Sequence, residues 1–328
     1  MKHLKTYRLF ETLTALTKEQ KGFLNEFTTG SWSLNPQTGK VDVDGTFDCS
    51  DQGLMNLKGI EFGNVSVDFS CYGNLLTDLK GAPRTVGRSF NCNKNNLTSL
   101  EGAPETVGKS FSCNWNSLTS LEGAPQKVGE SFYCTNNRLT DLKGAPETVG
   151  GYFYCDSNKL TSLEGAPQSV GGSFYCDNNN LTSLEGGPQT VGGSFFCDKN
   201  NLTSLKGAPR TVGGDFYCHS NQLQTLEGAP QAVEGSFYCD EFATENWTLE
   251  GKLEILKTGT EAAKTLISTI ISPEALQKQI DENPTSMAVD LKGVWKTLKK
   301  TPGYEKLKFP PEYSEEAETL ADLAEIGL

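Results

Sequence analysis

Hydrophobic positions recur along this chain with a fixed period. Ten cysteines lie at positions 49, 71, 92, 113, 134, 155, 176, 197, 218 and 239, so the first interval is 22 residues and the others are 21. A phenylalanine precedes every cysteine by two positions, and in nine copies leucines follow it by five and eight. Such a period is typical of solenoid proteins, in which each repeat forms one rung of a stack.

The consensus F-x-C-x-x-N-x-L-T-S-L-x-G-A-P-x-x-V-G-G-x predicts how a rung is arranged. The phenylalanine and cysteine point the same way on a strand, so both are expected in the core with the two leucines. The asparagine is expected where the chain turns inward, bonded to the backbone of the neighbouring rung. Gly-Ala-Pro predicts an extended return path, and Gly-Gly before the next strand predicts a corner with positive φ.

The residues before the repeats predict helices and a hairpin. Residues 5–16 carry a helical apolar stripe, and Thr17 opens a capping box for a second helix through about Phe27. Apolar residues alternate with polar ones on both sides of residues 35–40, which predicts a hairpin that covers the first rung. Residues 1–45 are therefore expected to form an N-terminal cap.

The repeat pattern ends after Cys239. Four helices are predicted beyond it, beginning at Thr260, after the N-cap Ser272, at residue 286 and at Ser314. The predicted fold class is an α+β solenoid of about ten 21-residue rungs with a parallel sheet over residues 46–240. A helical domain is expected over residues 241–328.

The repeat unit resembles that of leucine-rich repeat proteins, with phenylalanine and cysteine in two of the leucine places. The segment N-N-L-T-S-L-E-G-G-P at 179–188, with Val191 three positions on, is similar to the short repeats of bacterial effectors. An opening such as residues 32–43 and a tail such as residues 287–295 resemble repeat proteins of tailed bacteriophages and bacteria. The resemblance implies a superhelical scaffold that presents a binding surface, and its consensus says little about the ligand.

Charge and composition narrow the classes of partner. The formal net charge is −12, from 29 Lys and Arg against 41 Asp and Glu. This balance argues against binding to nucleic acid or to an anionic membrane through a basic patch. No run of 18 apolar residues occurs, and the first residues lack the apolar stretch of a secretory signal. The expectation is a cytoplasmic protein, in a bacterial host cell if a phage encodes it.

The cysteines have three alternative interpretations: a disulfide framework, a metal array or core filling. No C-x-x-C occurs, whereas zinc sites need such local clustering. Inward cysteines on stacked parallel strands all point alike, which favours packed free thiols in a reducing compartment. The chain has only two histidines, and every chemical motif has an explanation within the repeat. We therefore expect no metal site, no cofactor and no enzymatic activity.

The residues beside each cysteine carry the functional signal. Those directly before it are polar in the early repeats and aromatic later, and those directly after it become acidic. At about 4.8 Å per strand, the six aromatic residues form a row roughly 24 Å long on the concave side of the sheet. The predicted partner-binding residues are Tyr133, Tyr154, Tyr175, Phe196, Tyr217, Tyr238, Asp156, Asp177, Asp198, His219 and Asp240.

Several functions are compatible with this pattern. The aromatic row is either a ladder that only stabilises the sheet or a binding strip whose aspartates favour a protein with a basic patch. We expect a non-enzymatic protein-binding module that binds a host or viral protein and acts as its inhibitor. The alternatives are a glycan-binding or virion-associated adhesin and an ice-binding solenoid that uses the threonine column. That column is Thr77, Thr98, Thr119, Thr140, Thr161, Thr182 and Thr203, whose hydroxyls are otherwise expected to bond the local backbone.

Overall fold

The structure is a computed structural model that describes residues 16–224, 226–239, 272–284, 287, 291, 295–301 and 303–310. The chain divides into two compact units between Asn179 and Asn180, and each is described by itself. The helices predicted from Thr260 and Ser314 lie outside the described residues, as does all but residue 16 of the helix predicted over 5–16. The domain boundaries at 45/46 and 240/241 stay predictions.

The first unit contains one described helix and fourteen strands. Helix α1 is Lys18–Phe27. The strands are β1 (Thr28–Leu34), β2 (Val41–Asp48), β3 (Phe62–Val65), β4 (Phe69–Ser70), β5 (Thr85–Val86), β6 (Phe90–Asn91), β7 (Thr106–Val107), β8 (Phe111–Ser112), β9 (Lys127–Val128), β10 (Phe132–Tyr133), β11 (Thr148–Val149), β12 (Phe153–Tyr154), β13 (Ser169–Val170) and β14 (Phe174–Tyr175).

The predicted capping box and hairpin are both present at the start of this unit. The Thr17 hydroxyl accepts a hydrogen bond from the Gln20 amide, and the Gln20 side chain accepts one from the Thr17 amide. Strands β1 and β2 pair antiparallel, with Trp32 opposite Val43. The Phe23 ring of α1 lies 5.7 Å from the Phe47 ring, so the helix packs against the first rung.

Strand β2 begins two parallel ladders by pairing with both β3 and β4, and each later rung of the first unit contributes two short strands to them. One strand begins at the consensus phenylalanine and pairs in register with the next, as Phe132 does with Phe153. The other lies at the consensus Thr-Val, where Val149 pairs with Val170. The first ladder confirms the strand predicted at Phe-x-Cys. The second was not predicted, because two residues are too short to show an alternating pattern.

The inward columns of the first unit form a continuous apolar core. The consensus phenylalanine, cysteine and both leucines are fully buried in the rungs that begin at Phe69, Phe90, Phe111, Phe132 and Phe153. Successive phenylalanine rings stack with centroids 5.3 to 5.5 Å apart. Each large buried side chain contributes about 1.5–3 kcal/mol, so stability accumulates rung by rung.

The buried asparagines join each rung to the preceding one, as predicted. Asn137 Oδ1 accepts a hydrogen bond from the Leu118 amide at 3.0 Å. Its Nδ2 donates to the carbonyl oxygens of Cys113 on the preceding rung and Cys134 on its own, at 3.0 and 3.1 Å. One amide therefore satisfies backbone groups that have no strand partner, and the same arrangement recurs at Asn95.

The prediction of positive φ at the Gly-Gly corner was wrong. Positive φ occurs instead at the glycine of Gly-Ala-Pro, as at Gly102 with φ +89°. The Gly-Gly pair is needed for space: a Cβ at Gly171 would lie 2.2 Å from the Gly150 carbonyl oxygen of the rung before. Glycine at this corner therefore permits the close approach of successive backbones rather than an unusual dihedral angle.

The second unit contains six described strands and two described helices. The strands are β15 (Thr190–Val191), β16 (Phe195–Phe196), β17 (Thr211–Val212), β18 (Phe216–Tyr217), β19 (Ala232–Val233) and β20 (Phe237–Tyr238), and the helices are α2 (Pro273–Glu282) and α3 (Trp295–Lys299). The Ser272 hydroxyl accepts from the Ala275 amide, so the predicted N-cap is confirmed. Together the two units contain the ten rung strands that the cysteine spacing predicted.

The cysteines fill the core as free thiols, as predicted, with one partial exception. Nine of the ten are buried and Cys239 is half-exposed. The Cys155 thiol donates to the Tyr175 carbonyl oxygen at 3.1 Å. Burial raises the pKa of Cys49 to about 12, and raises the pKa values of Cys71, Cys92, Cys113, Cys134 and Cys155 well above the ordinary thiol value.

Adjacent asparagines allow a matched test of the amide ladder. Asn95 is buried and bonds four backbone groups, whereas Asn96 is exposed. Asn95→Ala is expected to lower the free energy of unfolding by about 3 kcal/mol, because it leaves buried polar groups without partners. Asn96→Ala is expected to change it by less than about 0.5 kcal/mol. Urea unfolding followed by circular dichroism gives both values, and equal effects would contradict the assignment of inward positions.

The buried thiols also predict that the fold weakens in alkali. An unfolded cysteine ionises near pH 8.5, whereas these six retain their protons in the fold. Their stabilising contribution is complete below about pH 8 and is lost as the pH rises towards the folded pKa values. Above about pH 9, each thiol that ionises only in the unfolded state lowers the free energy of unfolding by about 1.4 kcal/mol per pH unit. Urea midpoints at pH 7.5, 8.5 and 9.5 measure this slope, which Cys155→Ala should reduce. A midpoint independent of pH would contradict the assignment.

Candidate interaction face

The predicted site residues lie on the surface that we call the sheet face. It consists of the side chains directly before and directly after the consensus cysteine, and of those three positions before it. All three positions alternate with the inward phenylalanine and cysteine, so their side chains leave the opposite side of the strand. The consensus cysteines other than Cys239 are buried, while the tyrosines beside them are half-buried or exposed.

In the first unit, three tyrosines of the sheet face form a stack. The Tyr133 and Tyr154 ring centroids are 5.0 Å apart and those of Tyr154 and Tyr175 are 4.1 Å apart, with interplanar angles of 16° and 5°. Adjacent rings cover one another's faces, so the stack presents mainly ring edges and hydroxyl groups to solvent. Burial and a hydrogen bond to Tyr175 raise the pKa of the Tyr154 hydroxyl, which keeps it protonated.

Tyr152 widens this stack and was missed from the sequence. Its side chain is 46% exposed, and its ring lies 6.2 Å from that of Tyr154 on the same rung. It occupies the position three before the cysteine, where other rungs carry serine, as at Ser131 and Ser173. The alternation of strand side chains would have found it, because positions three before and one before the cysteine share a face.

The aspartates of the first unit border the tyrosine stack. Asp156 is half-buried, and its carboxylate accepts from the Thr135 hydroxyl at 2.7 Å and from the Ser157 hydroxyl at 3.2 Å. Among the described residues, no lysine or arginine lies within ion-pair distance of Asp156. Asp177 is half-buried at the same position of the next rung. A negative strip therefore runs beside the tyrosines, solvated and bonded by hydroxyl groups.

The early rungs present a different surface at the same positions. The residues directly before the cysteine are Ser70, Asn91 and Ser112, all half-buried. Directly after it, the Asn93 side chain accepts from the Asn114 amide at 2.6 Å, and the Asn114 side chain from the Thr135 amide at 2.8 Å. The sheet face thus changes from a hydrogen-bonded polar surface to an aromatic and acidic one, while the core columns stay the same.

The second unit carries its own aromatic stack. The Phe196 and Tyr217 centroids are 4.6 Å apart and those of Tyr217 and Tyr238 are 4.5 Å apart. The Tyr217 hydroxyl donates to Asp215 at 3.2 Å, and Asp215 is a second residue that the sequence analysis missed. Tyr238 is 44% exposed, the most open of the three.

One acidic residue of the second unit, Asp198, lies beside a histidine of the sheet face. His219 Nε2 lies 3.5 Å from Asp198 Oδ2, and Asp198 is buried, with 7% of its surface exposed. The neighbour of Asp198 therefore comes from the next rung, at the same position of the repeat. The predicted site residue Asp240 lies outside the described residues.

The threonine column is exposed from Thr77 to Thr203. The Thr161 hydroxyl donates to the Thr140 carbonyl oxygen of the preceding rung at 3.4 Å. This bond differs from the expected one, because the acceptor is a neighbouring rung rather than the local turn.

The described residues hold neither a cluster of metal ligands nor a membrane-spanning helix. No group of three or more His, Cys, Asp or Glu side chains within them is arranged to hold a metal ion. None of the described helices is long and apolar enough to cross a membrane.

Comparisons with known proteins find similarity among solved structures only. No protein-family model and no curated protein matches the chain. Among solved structures, YopM from Yersinia enterocolitica WA-314 is similar at 15% identity and a TM-score of 0.36, over 58% of this chain and 56% of that one. YopM from Yersinia pestis, a leucine-rich effector protein, is similar at 19% identity and a TM-score of 0.36, over 59% and 68%. The chain thus spans little more than half of the first of these proteins.

Proposed function

We propose that this protein is a non-enzymatic protein-binding module whose sheet face engages a partner that carries a basic patch. The aromatic stack of each unit supplies apolar contact area, and the carboxylates beside it attract lysine and arginine side chains. The proposed contact residues of the first unit are Tyr133, Tyr154, Tyr175, Asp156 and Asp177. Those of the second are Phe196, Tyr217, Tyr238, Asp198, His219 and Asp240.

The proposal rests on one observation: the residues of the sheet face change along the repeats, while the core residues stay the same. The rungs of Phe69, Phe90 and Phe111 fold with serine or asparagine in the column that later holds tyrosine. The scaffold therefore does not need an aromatic residue there. Tyrosines that the fold does not require, gathered on one surface, are typical of protein interfaces, where they act as rigid anchors.

The ring geometry favours a protein over a glycan. Sugars stack on the faces of aromatic rings, but the faces of Tyr154 are covered by Tyr133 and Tyr175 on its two sides. The exposed edges and hydroxyl groups suit hydrogen bonding and lateral packing instead. The negative strip next to them adds attraction to a cationic surface and gives a salt-dependent association rate.

The setting of the function belongs to the same proposal. The repeat consensus of this chain resembles that of phage and bacterial proteins. We therefore place the protein in a bacterial cytoplasm, either of the bacterium that encodes it or of the host of a phage that encodes it. The partner is then a host or viral protein, and its inhibition is the simplest consequence of covering its basic patch.

The test replaces the tyrosines of the first unit by the residue that the same column already holds. A variant with Tyr133→Ser, Tyr154→Ser and Tyr175→Ser is expected to lose more than about 2 kcal/mol of affinity, roughly 30-fold, for partners captured by the parent from bacterial lysate. Its stability should fall by only about 0.2–1 kcal/mol for each of the two lost ring pairs. Calorimetric titration and urea unfolding measure the two quantities.

Charge and control variants separate the alternatives. Asp156→Lys is expected to weaken binding further and to make it less sensitive to salt, because the partner is basic. Replacing Thr119, Thr140 and Thr161 by serine serves as the control and should leave binding unchanged. Unchanged partner capture by the triple tyrosine variant, together with a large loss of stability, would show that the stack is structural. If the parent binds neutral glycans on an array and the triple tyrosine variant does not, the adhesin alternative is favoured.

A further inference from the structure

The repeats offer an internal comparison for solvent-facing positions. At any exposed position of the repeat, the residue that most rungs carry is compatible with the fold. A residue that is less favourable for stability at the same position of one rung therefore needs another explanation. In the first unit, the most costly departures lie in the turn that begins two residues after the consensus cysteine and ends six residues after it. We call this surface the turn edge.

Three large apolar side chains are exposed on the turn edge. Met55 is 72% exposed, Leu75 is 50% exposed and Trp115 is 57% exposed. In the other rungs of the first unit, the Met55 position holds threonine. The Leu75 position holds asparagine, serine, arginine, lysine or glycine, and the Trp115 position holds asparagine, serine, lysine, aspartate or glycine. Exposed apolar side chains at positions where the fold accepts polar ones are characteristic of an interaction surface.

Trp115 is also held in an unfavourable backbone conformation. Its φ is +56°, the left-handed region in which bulky residues are rare and asparagine is common. Asn136 and Asn178 occupy the same column with φ of +56° and +54°. A tryptophan at this position is both strained and solvent-exposed, which points to a role outside the scaffold.

The turn edge is basic although the chain as a whole is acidic. Positions two to six after the cysteine in the first unit carry exposed Lys94, Arg138 and Lys159, against the single carboxylate Asp51. Lys94 Nζ lies over the Tyr72 ring, 5.2 Å from its centroid. Within the described residues, none of the three cations lies within ion-pair distance of a carboxylate.

We propose that the turn edge of the first unit, formed by Met55, Leu75, Trp115, Lys94, Arg138 and Lys159, binds an acidic protein segment through apolar anchors. The surface extends from the first to the sixth rung, about 24 Å at the strand spacing, which is the length of a helix of about 16 residues. Carboxylates of the segment would meet the three exposed cations, and its apolar side chains would cover Trp115 and Leu75. The turn edge adjoins the sheet face, where Lys94 lies over the Tyr72 ring, and is opposite to it in charge.

A protein segment fits better than nucleic acid. The chain has a net charge of −12, which repels a polyanion at a distance, and three cations spread over several rungs are few for phosphate binding. Exposed Met55 and Leu75 have no use in contacts with phosphates. They do match the apolar face of an amphipathic acidic helix.

The test uses a displayed library of random 16-residue peptides. Peptides that bind the parent protein are selected, and those that also bind a variant with Met55→Thr, Leu75→Asn and Trp115→Asn are removed. Each substitution introduces a residue that other rungs carry at the same position. We expect enriched peptides to be net negative with leucine or aromatic anchors. The variant should bind a synthetic enriched peptide at least tenfold more weakly than the parent. Its melting temperature should be unchanged or higher, because the strain at residue 115 is relieved.

Two further variants show which forces act. Arg138→Asn with Lys159→Asn should weaken peptide binding three- to tenfold and make it less sensitive to salt, whereas the triple tyrosine variant of the sheet face should bind the peptide as the parent does. The proposal is overturned if no peptide prefers the parent to the variant or if the enriched peptides are net positive. It is also overturned if the single-stranded oligonucleotide dT20 binds the parent and not the variant, since the ligand would then be nucleic acid.

Discussion

The hydrogen bonds of the buried asparagine amides impose the constraint on which the first unit depends. Each side chain bonds backbone groups of two successive rungs, at distances near 3 Å for Asn95 and Asn137. An extra residue between the cysteine and the asparagine of one rung would place the amide out of reach and leave several buried polar groups without partners. The return path outside this turn is less constrained, because the first cysteine interval has 22 residues and Asn74 still donates to the Cys49 carbonyl oxygen at 2.9 Å.

This constraint also explains why the outer surface can specialise. Because the core columns and the amide ladder fix the position of every rung, the side chains that face solvent contribute little to the fold. The sheet face therefore changes from serine and asparagine to tyrosine and aspartate without any change inside. The turn edge gains Trp115 and basic residues in the same way. One scaffold thus presents two surfaces of opposite charge, and the proposed functions are assigned to them.

Much of the fold follows from the sequence, because its determinants repeat. Phenylalanine, cysteine and leucine spacing predicted the core and the first ladder, and the asparagine column predicted the bonds between rungs. The Thr-Val ladder and the position of positive φ were not predicted, since both depend on how closely backbones such as those of Gly150 and Gly171 approach. For the candidate site, the consensus showed which columns change, but the covered faces of the tyrosine rings depend on side-chain angles that no spacing encodes. Trp115 was missed because a consensus averages away the single departures that carry this information.

Hydrogen–deuterium exchange at individual amides tests the central claim most directly. The amides of Leu76, Leu97, Leu118, Leu139 and Leu160 lie in turns, yet each donates to an asparagine side chain of the next rung. We predict that these amides exchange as slowly as those of the strand phenylalanines, and far more slowly than those of exposed turn residues. Exchange of the leucine amides at the rate of an open turn would show that the asparagine ladder does not hold the rungs together.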